Sequence, residues 1–114
     1  MNNFEFFAPT EIVFGRGVED QTGETARKYG ARRIMLVYGG GSVVNSGLLA
    51  KVENSLSKAG VTYIEYGGAK PNPTLEHANA GIKKAIAEHV DMIIAVGGGS
   101  TIDTAKAIAH GTAN

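Results

Sequence analysis

The chain has 114 residues, 43% of them apolar, and its 11 basic and 11 acidic side chains cancel. That length is one domain with room for its own core. Zero net charge gives none of the long-range field of a nucleic-acid or anionic-membrane binder. With no cysteine there is no disulfide framework and no thiolate chemistry. The N-terminus lacks a basic stretch followed by an apolar core, and no apolar run nears the roughly 18 residues of a membrane span. A cytoplasmic protein is the expectation.

The chain opens with two β signals, Phe4-Glu5-Phe6 and Glu11-Ile12-Val13-Phe14, around a turn at Pro9, which predicts an N-terminal hairpin. A helix is predicted over 18–29 with Val18, Thr22, Ala26 and Tyr29 on one face. Gly23 weakens it by about 1 kcal/mol relative to alanine, and Gly30 suits its C′ position. Residues 33–38, Arg-Ile-Met-Leu-Val-Tyr, form a nearly unbroken apolar run, the mark of a strand buried on both faces of a parallel sheet. A second helix follows over 46–59, with Leu48, Leu49, Val52 and Leu56 at helical spacing and Gly60 as its stop. Residues 61–66 read as a third strand, and Pro71-Asn72-Pro73 as a rigid connector. The third helix runs from Thr74 to His89, with Leu75, Ala78, Ile82, Ala85 and Ile86 inward, and residues 91–96 make the last strand. A final helix over 100–110 turns Ile102, Ala105, Ile108 and Ala109 inward. Strands alternating with helices predict an α/β fold, a Rossmann-like doubly wound, mostly parallel sheet.

Two strands run into Gly-Gly-Gly-Ser, at Gly39, Gly40, Gly41, Ser42 and at Gly97, Gly98, Gly99, Ser100. Ligands of open α/β sheets bind beyond the carboxyl ends of the strands. A helix begins at once after Gly97, Gly98, Gly99 and Ser100, and its free N–H groups and dipole suit a pyrophosphate. Asp103 lies one turn further on. Gly39, Gly40 and Ser42 reach their helix later and are assigned to the adenosine ribose. An NAD site usually offers a carboxylate to the ribose 2′-hydroxyl, and none follows Tyr38. Glycine N–H groups and a serine hydroxyl suit a 2′-phosphate, so NADP is favoured, with NAD the alternative. The simpler reading of both segments is two βα turns that need glycine only for their dihedrals. The pattern also departs from Gly-x-Gly-x-x-Gly, and its ribose loop precedes its pyrophosphate loop.

Residues 97–106, Gly-Gly-Gly-Ser-Thr-Ile-Asp-Thr-Ala-Lys, resemble the iron-containing alcohol dehydrogenase family. So do Pro71-Asn72-Pro73, Val37-Tyr38-Gly39-Gly40-Gly41-Ser42 and the opening Pro9-Thr10-Glu11-Ile12-Val13-Phe14-Gly15-Arg16-Gly17. The similarity is greatest to its butanol dehydrogenase-like, NADPH-preferring branch. It implies hydride transfer between NAD(P)H and an aldehyde or alcohol. It gives Gly97, Gly98, Gly99 and Ser100 to the pyrophosphate, and Gly39, Gly40 and Ser42 to the adenosine side. Asp103 falls near the nicotinamide, Asn72 beside the cleft, and Lys106 fits the motif without a role. The family has a second, helical domain whose aspartate and three histidines hold Fe²⁺ or Zn²⁺. The resemblance covers only the first domain, so residues 1–114 are expected to be the dinucleotide-binding domain, with the helical one missing and no catalysis by this chain alone. The alternative is a stand-alone nucleotide-binding or interaction module.

His77, His89 and His110 are the only histidines. His77 and His89 are a helix length apart, and a closed metal site needs three or four converging ligands. None is expected to bind metal. Arg27, Lys28, Arg32 and Arg33, with Glu24 close by, read as a solvated helix end and loop. The family is often dimeric through this domain, and an unpaired edge formed by the N-terminal strands could pair with a second copy.

Overall fold

The computed structural model describes residues 10–13, 22–40, 44–69, 74–97 and 99–113. Four strands alternate with four helices: β1 (Thr10–Val13), α1 (Thr22–Lys28), β2 (Arg33–Tyr38), α2 (Leu48–Lys58), β3 (Thr62–Tyr66), α3 (Leu75–Ala87), β4 (Met92–Val96) and α4 (Gly99–Ala113). All the strands are parallel, in the order β1-β4-β2-β3. The predicted α/β sheet is therefore present. Of the expected hairpin, the second strand is β1, which pairs in parallel with β4, and residues 4–6 lie outside the described residues.

Why the central strands need no polar face is clear from what covers them. Met35, Val37, Ile93 and Ala95 point to one side and pack with Ala85 of α3 and Ala105, Ile108 and Ala109 of α4. Ile34, Leu36, Met92, Ile94 and Val96 point to the other and meet Ala26 of α1 and Leu49, Val52 and Leu56 of α2. Both faces of β2 and β4 are thus dry, and each large aliphatic side chain there adds about 1.5–3 kcal/mol on burial.

Three helices end in one motif. In α1, α2 and α3 the backbone N–H two residues past the C-cap donates to the carbonyl of C3: Ala31 to Ala26, Val61 to Leu56 and Val90 to Ala85. Gly30 (φ 76°) and Gly60 (φ 77°) hold the left-handed position, as expected. At the third end the position belongs to His89, with φ 57°. At the other end of α3, the Thr74 hydroxyl accepts the His77 N–H at 3.0 Å, an N-cap.

Two inward assignments fail on α3. Leu75 is 76% exposed and Ile86 56%, while Ala78, Gly81 and Ala85 form the buried stripe. The stripe is narrow and made of small residues because α4 lies close: a Cβ on Gly81 would stand 2.9 Å from Ile108 Cγ1. Tyr29, placed on one face with Thr22 and Ala26, lies just past α1 and is exposed while those two are buried. Helix α4 runs to Ala113 and not His110. Gly111 lies within it, where a Cβ would meet the Ile82 side chain.

Candidate dinucleotide site at the carboxyl ends of β2 and β4

Sheet order decides which loops meet. Strands β2 and β4 are adjacent, with Tyr38 opposite Val96. The helix after β2 packs on one face of the sheet and the helix after β4 on the other. Where successive connections part to opposite faces, a crevice opens above the strand ends, the usual ligand site of such sheets. Gly39 follows β2 and Gly97 follows β4, so the two glycine segments start side by side.

Gly97 has φ 134°, a backbone region that a side chain disfavours. Helix α4 starts two residues later at Gly99. Its first turn has no intrahelical acceptors for its N–H groups, and its dipole points positive at the strand mouth. Gly39 is placed by its neighbours. Its carbonyl accepts the Gly68 N–H at 3.1 Å, and the Tyr38 carbonyl accepts the Ala69 N–H at 3.1 Å. A Cβ on Gly39 would stand 3.2 Å from the Ala69 carbonyl oxygen and 3.6 Å from Thr101 Oγ1. The segment after β2 therefore touches both the first turn of α4 and the segment after β3. Gly40 is different: a Cβ there meets nothing within 4 Å among the described residues.

The expected site residues divide as follows. Gly39, Gly40 and Gly97 lie at the mouth, and Gly99 and Ser100 open α4. Asp103 is on α4 with its side chain exposed. Ser42, Asn72 and Gly98 lie outside the described residues. A bound dinucleotide suits what is present: a glycine with left-handed backbone, a helix N-terminus with free donors, and a strand end without a Cβ.

A polar group that sequence reading missed sits beside this mouth. The Tyr38 hydroxyl donates to Glu65 Oε1 at 3.4 Å, and the Tyr38 ring fills the space a Gly67 side chain would occupy. Glu53 of α2 joins them. Burial, then the neighbouring Glu65 carboxyl, pushes its carboxyl up to about 7. Its Oε2 is buried with no hydrogen-bond partner among the described residues. Burial, then Glu65 and Glu53, also raises the Tyr38 hydroxyl. Glu53 and Glu65 are twelve residues apart on different elements, so only the packing of α2 on the β3 edge brings them together.

The described residues do not fit the metal that the resemblance implies. No three His, Cys, Asp or Glu side chains converge among them. His77 is stacked on Tyr66 at 4.7 Å, His89 occupies the left-handed end of α3, and His110 is exposed on α4. Nor is any described helix long and apolar enough to cross a membrane.

Comparison with known proteins places this arrangement. A sequence model of iron-containing alcohol dehydrogenases matches residues 9–114. A probable NADH-dependent butanol dehydrogenase of Bacillus subtilis is 44% identical over 111 residues, which is 97% of this chain and 28% of that protein. An NADPH-dependent aldehyde reductase of Escherichia coli is 38% identical over 113 residues, 96% of this chain and 27% of its own length. The crystal structure of an NADH-dependent butanol dehydrogenase from Thermotoga maritima superposes with a TM-score of 0.84 at 42% identity, covering 100% of this chain and 29% of that one. The chain thus spans less than a third of the length of these relatives. Its sheet, its glycine segments and this match make it a member of the iron-containing alcohol dehydrogenase family.

Proposed function

We propose that this chain is the dinucleotide-binding part of an oxidoreductase that moves hydride between NADP(H) and an aldehyde or alcohol. The observation that carries it is the meeting of the two glycine segments: Gly39 lies against Thr101 in the first turn of α4. In this reading Gly97, Gly98, Gly99 and Ser100 hold the pyrophosphate with backbone N–H groups, helped by the α4 dipole. Gly39, Gly40 and Ser42 hold the adenosine ribose, Asn72 borders the cleft, and Asp103 stands toward the nicotinamide. The cofactor supplies the hydride donor or acceptor when bound, and the protein positions it. Metal and substrate fall to the second, helical domain that the resemblance implies. Alone, these 114 residues then bind cofactor without turning over substrate. Support for a second domain comes from Val44, 51% exposed, and Leu75, 76% exposed, where the chain leaves the carboxyl ends of β2 and β3. Strand β1, at the edge of the sheet among the described residues, is the proposed dimer contact.

NADP is favoured because Gly39 and Gly40 bring no carboxylate to the end of β2, and a Cβ on Gly40 would meet no described residue within 4 Å. NAD is the second reading. Glu65, hydrogen-bonded to Tyr38, is an acid close to that strand end, and the relatives' names include both cofactors. Calorimetric titration of the chain with NADPH and with NADH separates the two. Tighter NADPH binding, lost in Gly40→Asp as the new carboxylate meets the 2′-phosphate, is the expected result. Equal or tighter NADH binding would refute the NADP assignment.

A further inference from the structure

The sheet's carboxyl mouth is not the only concave surface. Helices α1 and α2 enclose a groove of about 510 Å³ lined by Glu24, Arg27, Lys51, Asn54, Ser55 and Lys58. A second hollow of about 480 Å³ shares Arg27 and Ala59 with it and adds Arg32 at its far rim. Volumes of this size accommodate small-molecule ligands.

The groove follows from one contact. The Gly23 N–H donates to Ser55 Oγ at 2.8 Å, and a Cβ on Gly23 would collide with the Ser55 carbonyl. The helix backbones touch there. Arg27 stands one turn beyond Gly23 on α1, while Lys51 and Lys58 stand about one turn either side of Ser55 on α2. Cations from two helices therefore flank one polar floor. In a chain of zero net charge, this lining holds three cations and the single carboxylate Glu24.

Among the described residues, the two acids beside Arg32 and Arg33 are engaged away from the groove. Glu88 pairs with Arg33 at 2.6 Å. Asp91 accepts the backbone N–H groups of Arg32 and Arg33 at 2.9–3.1 Å. The side chains of Arg27, Arg32 and Lys58 have no ion pair or hydrogen bond with another described residue. Arginine offers a fork of donors that matches phosphate oxygens, and lysine adds a mobile point charge. The lining is too polar to attract an apolar ligand.

We infer that the α1–α2 groove is a second anion site, separate from the dinucleotide mouth, that takes a small polyphosphate. Arg27 and Lys58 grip the phosphate chain from opposite helices, with the Asn54 amide completing the floor. An occupant that binds only the folded chain also raises its melting temperature, by an amount that grows with the logarithm of ligand concentration over Kd.

Calorimetric titration with tripolyphosphate in physiological salt tests this, with saturating NADPH present and absent. The expected result is one-to-one binding, the same in both conditions. An Arg27→Gln/Lys58→Gln double variant should lose about tenfold in affinity, the scale of one or two charge-assisted contacts. A control pair on the opposite helix layer, Lys83→Gln/Lys84→Gln, should bind as the parent does. Both pairs are exposed, and circular dichroism melts verify that the variants fold. ATP in place of tripolyphosphate should bind with similar affinity, which identifies the phosphate chain as the recognised part. No binding of tripolyphosphate, displacement by NADPH, equal losses in the two double variants, or binding of ATP alone would each overturn the proposal.

Discussion

His89 sits where a glycine serves better. It closes the α3 end in the left-handed conformation that Gly30 and Gly60 adopt at the ends of α1 and α2. For a residue with a Cβ this conformation costs about 1 kcal/mol. His89→Gly should raise the unfolding free energy by about 1 kcal/mol in urea denaturation; no gain would mean that the imidazole makes a compensating contact. Gly23 is the opposite case. Helix propensity alone favours alanine there by about 1 kcal/mol, yet the Ser55 backbone occupies the place of the Cβ. Gly23→Ala should therefore destabilise by roughly 1–3 kcal/mol, as overpacking does, because a backbone carbonyl cannot swing away. An increase in melting temperature would show that α1 and α2 can separate freely. The helix stops at Gly30 and Gly60 were legible in the sequence, since both lie next to their helix. The need for Gly23 was not, because its partner is 32 residues away.

Elements that bury a broad face announce it. The runs that became β2 and β4 are dry on both sides, and Leu49, Val52 and Leu56 of α2 are buried at the spacing expected of them. On α3 the same rule misassigned Leu75 and Ile86, because close packing against α4 selects small residues and turns large ones outward. Between α2 and β3 the packing also creates the Glu53–Glu65–Tyr38 cluster, and with it a pH dependence. The Glu53 carboxyl is raised from an ordinary 4.5 to about 7. Between those values the folded chain holds more protons than the unfolded one, so stability falls as pH rises through this window. The loss is complete above about 7 and absent below about 4.5. Glu53→Gln should thus raise the melting temperature at pH 8 and change it little at pH 4.5. A variant that gains equally at both values would assign the effect to packing and not to charge.

Across the whole molecule, strand order turns two turns into one candidate site. The sequence shows two strands ending in Gly-Gly-Gly-Ser, and it shows the alternation that makes the sheet parallel. It does not show that β2 and β4 are neighbours, because β3 intervenes in the chain and lies at the far edge in space. That single fact of topology brings Gly39 to Thr101 and the start of α4. The same blindness hid the basic groove, since Arg27 and Lys58 are 31 positions apart and Arg27 reads, with Lys28, Arg32 and Arg33, as part of a solvated helix end. Backbone amide NMR during titration with NADPH tests the joint site most directly. The signals of Gly39, Gly40, Gly97 and Thr101 should shift together along one binding curve, while those of Arg27 and Ser55 stay in place. Shifts confined to one glycine segment, or centred on the α1–α2 groove, would contradict the joint site.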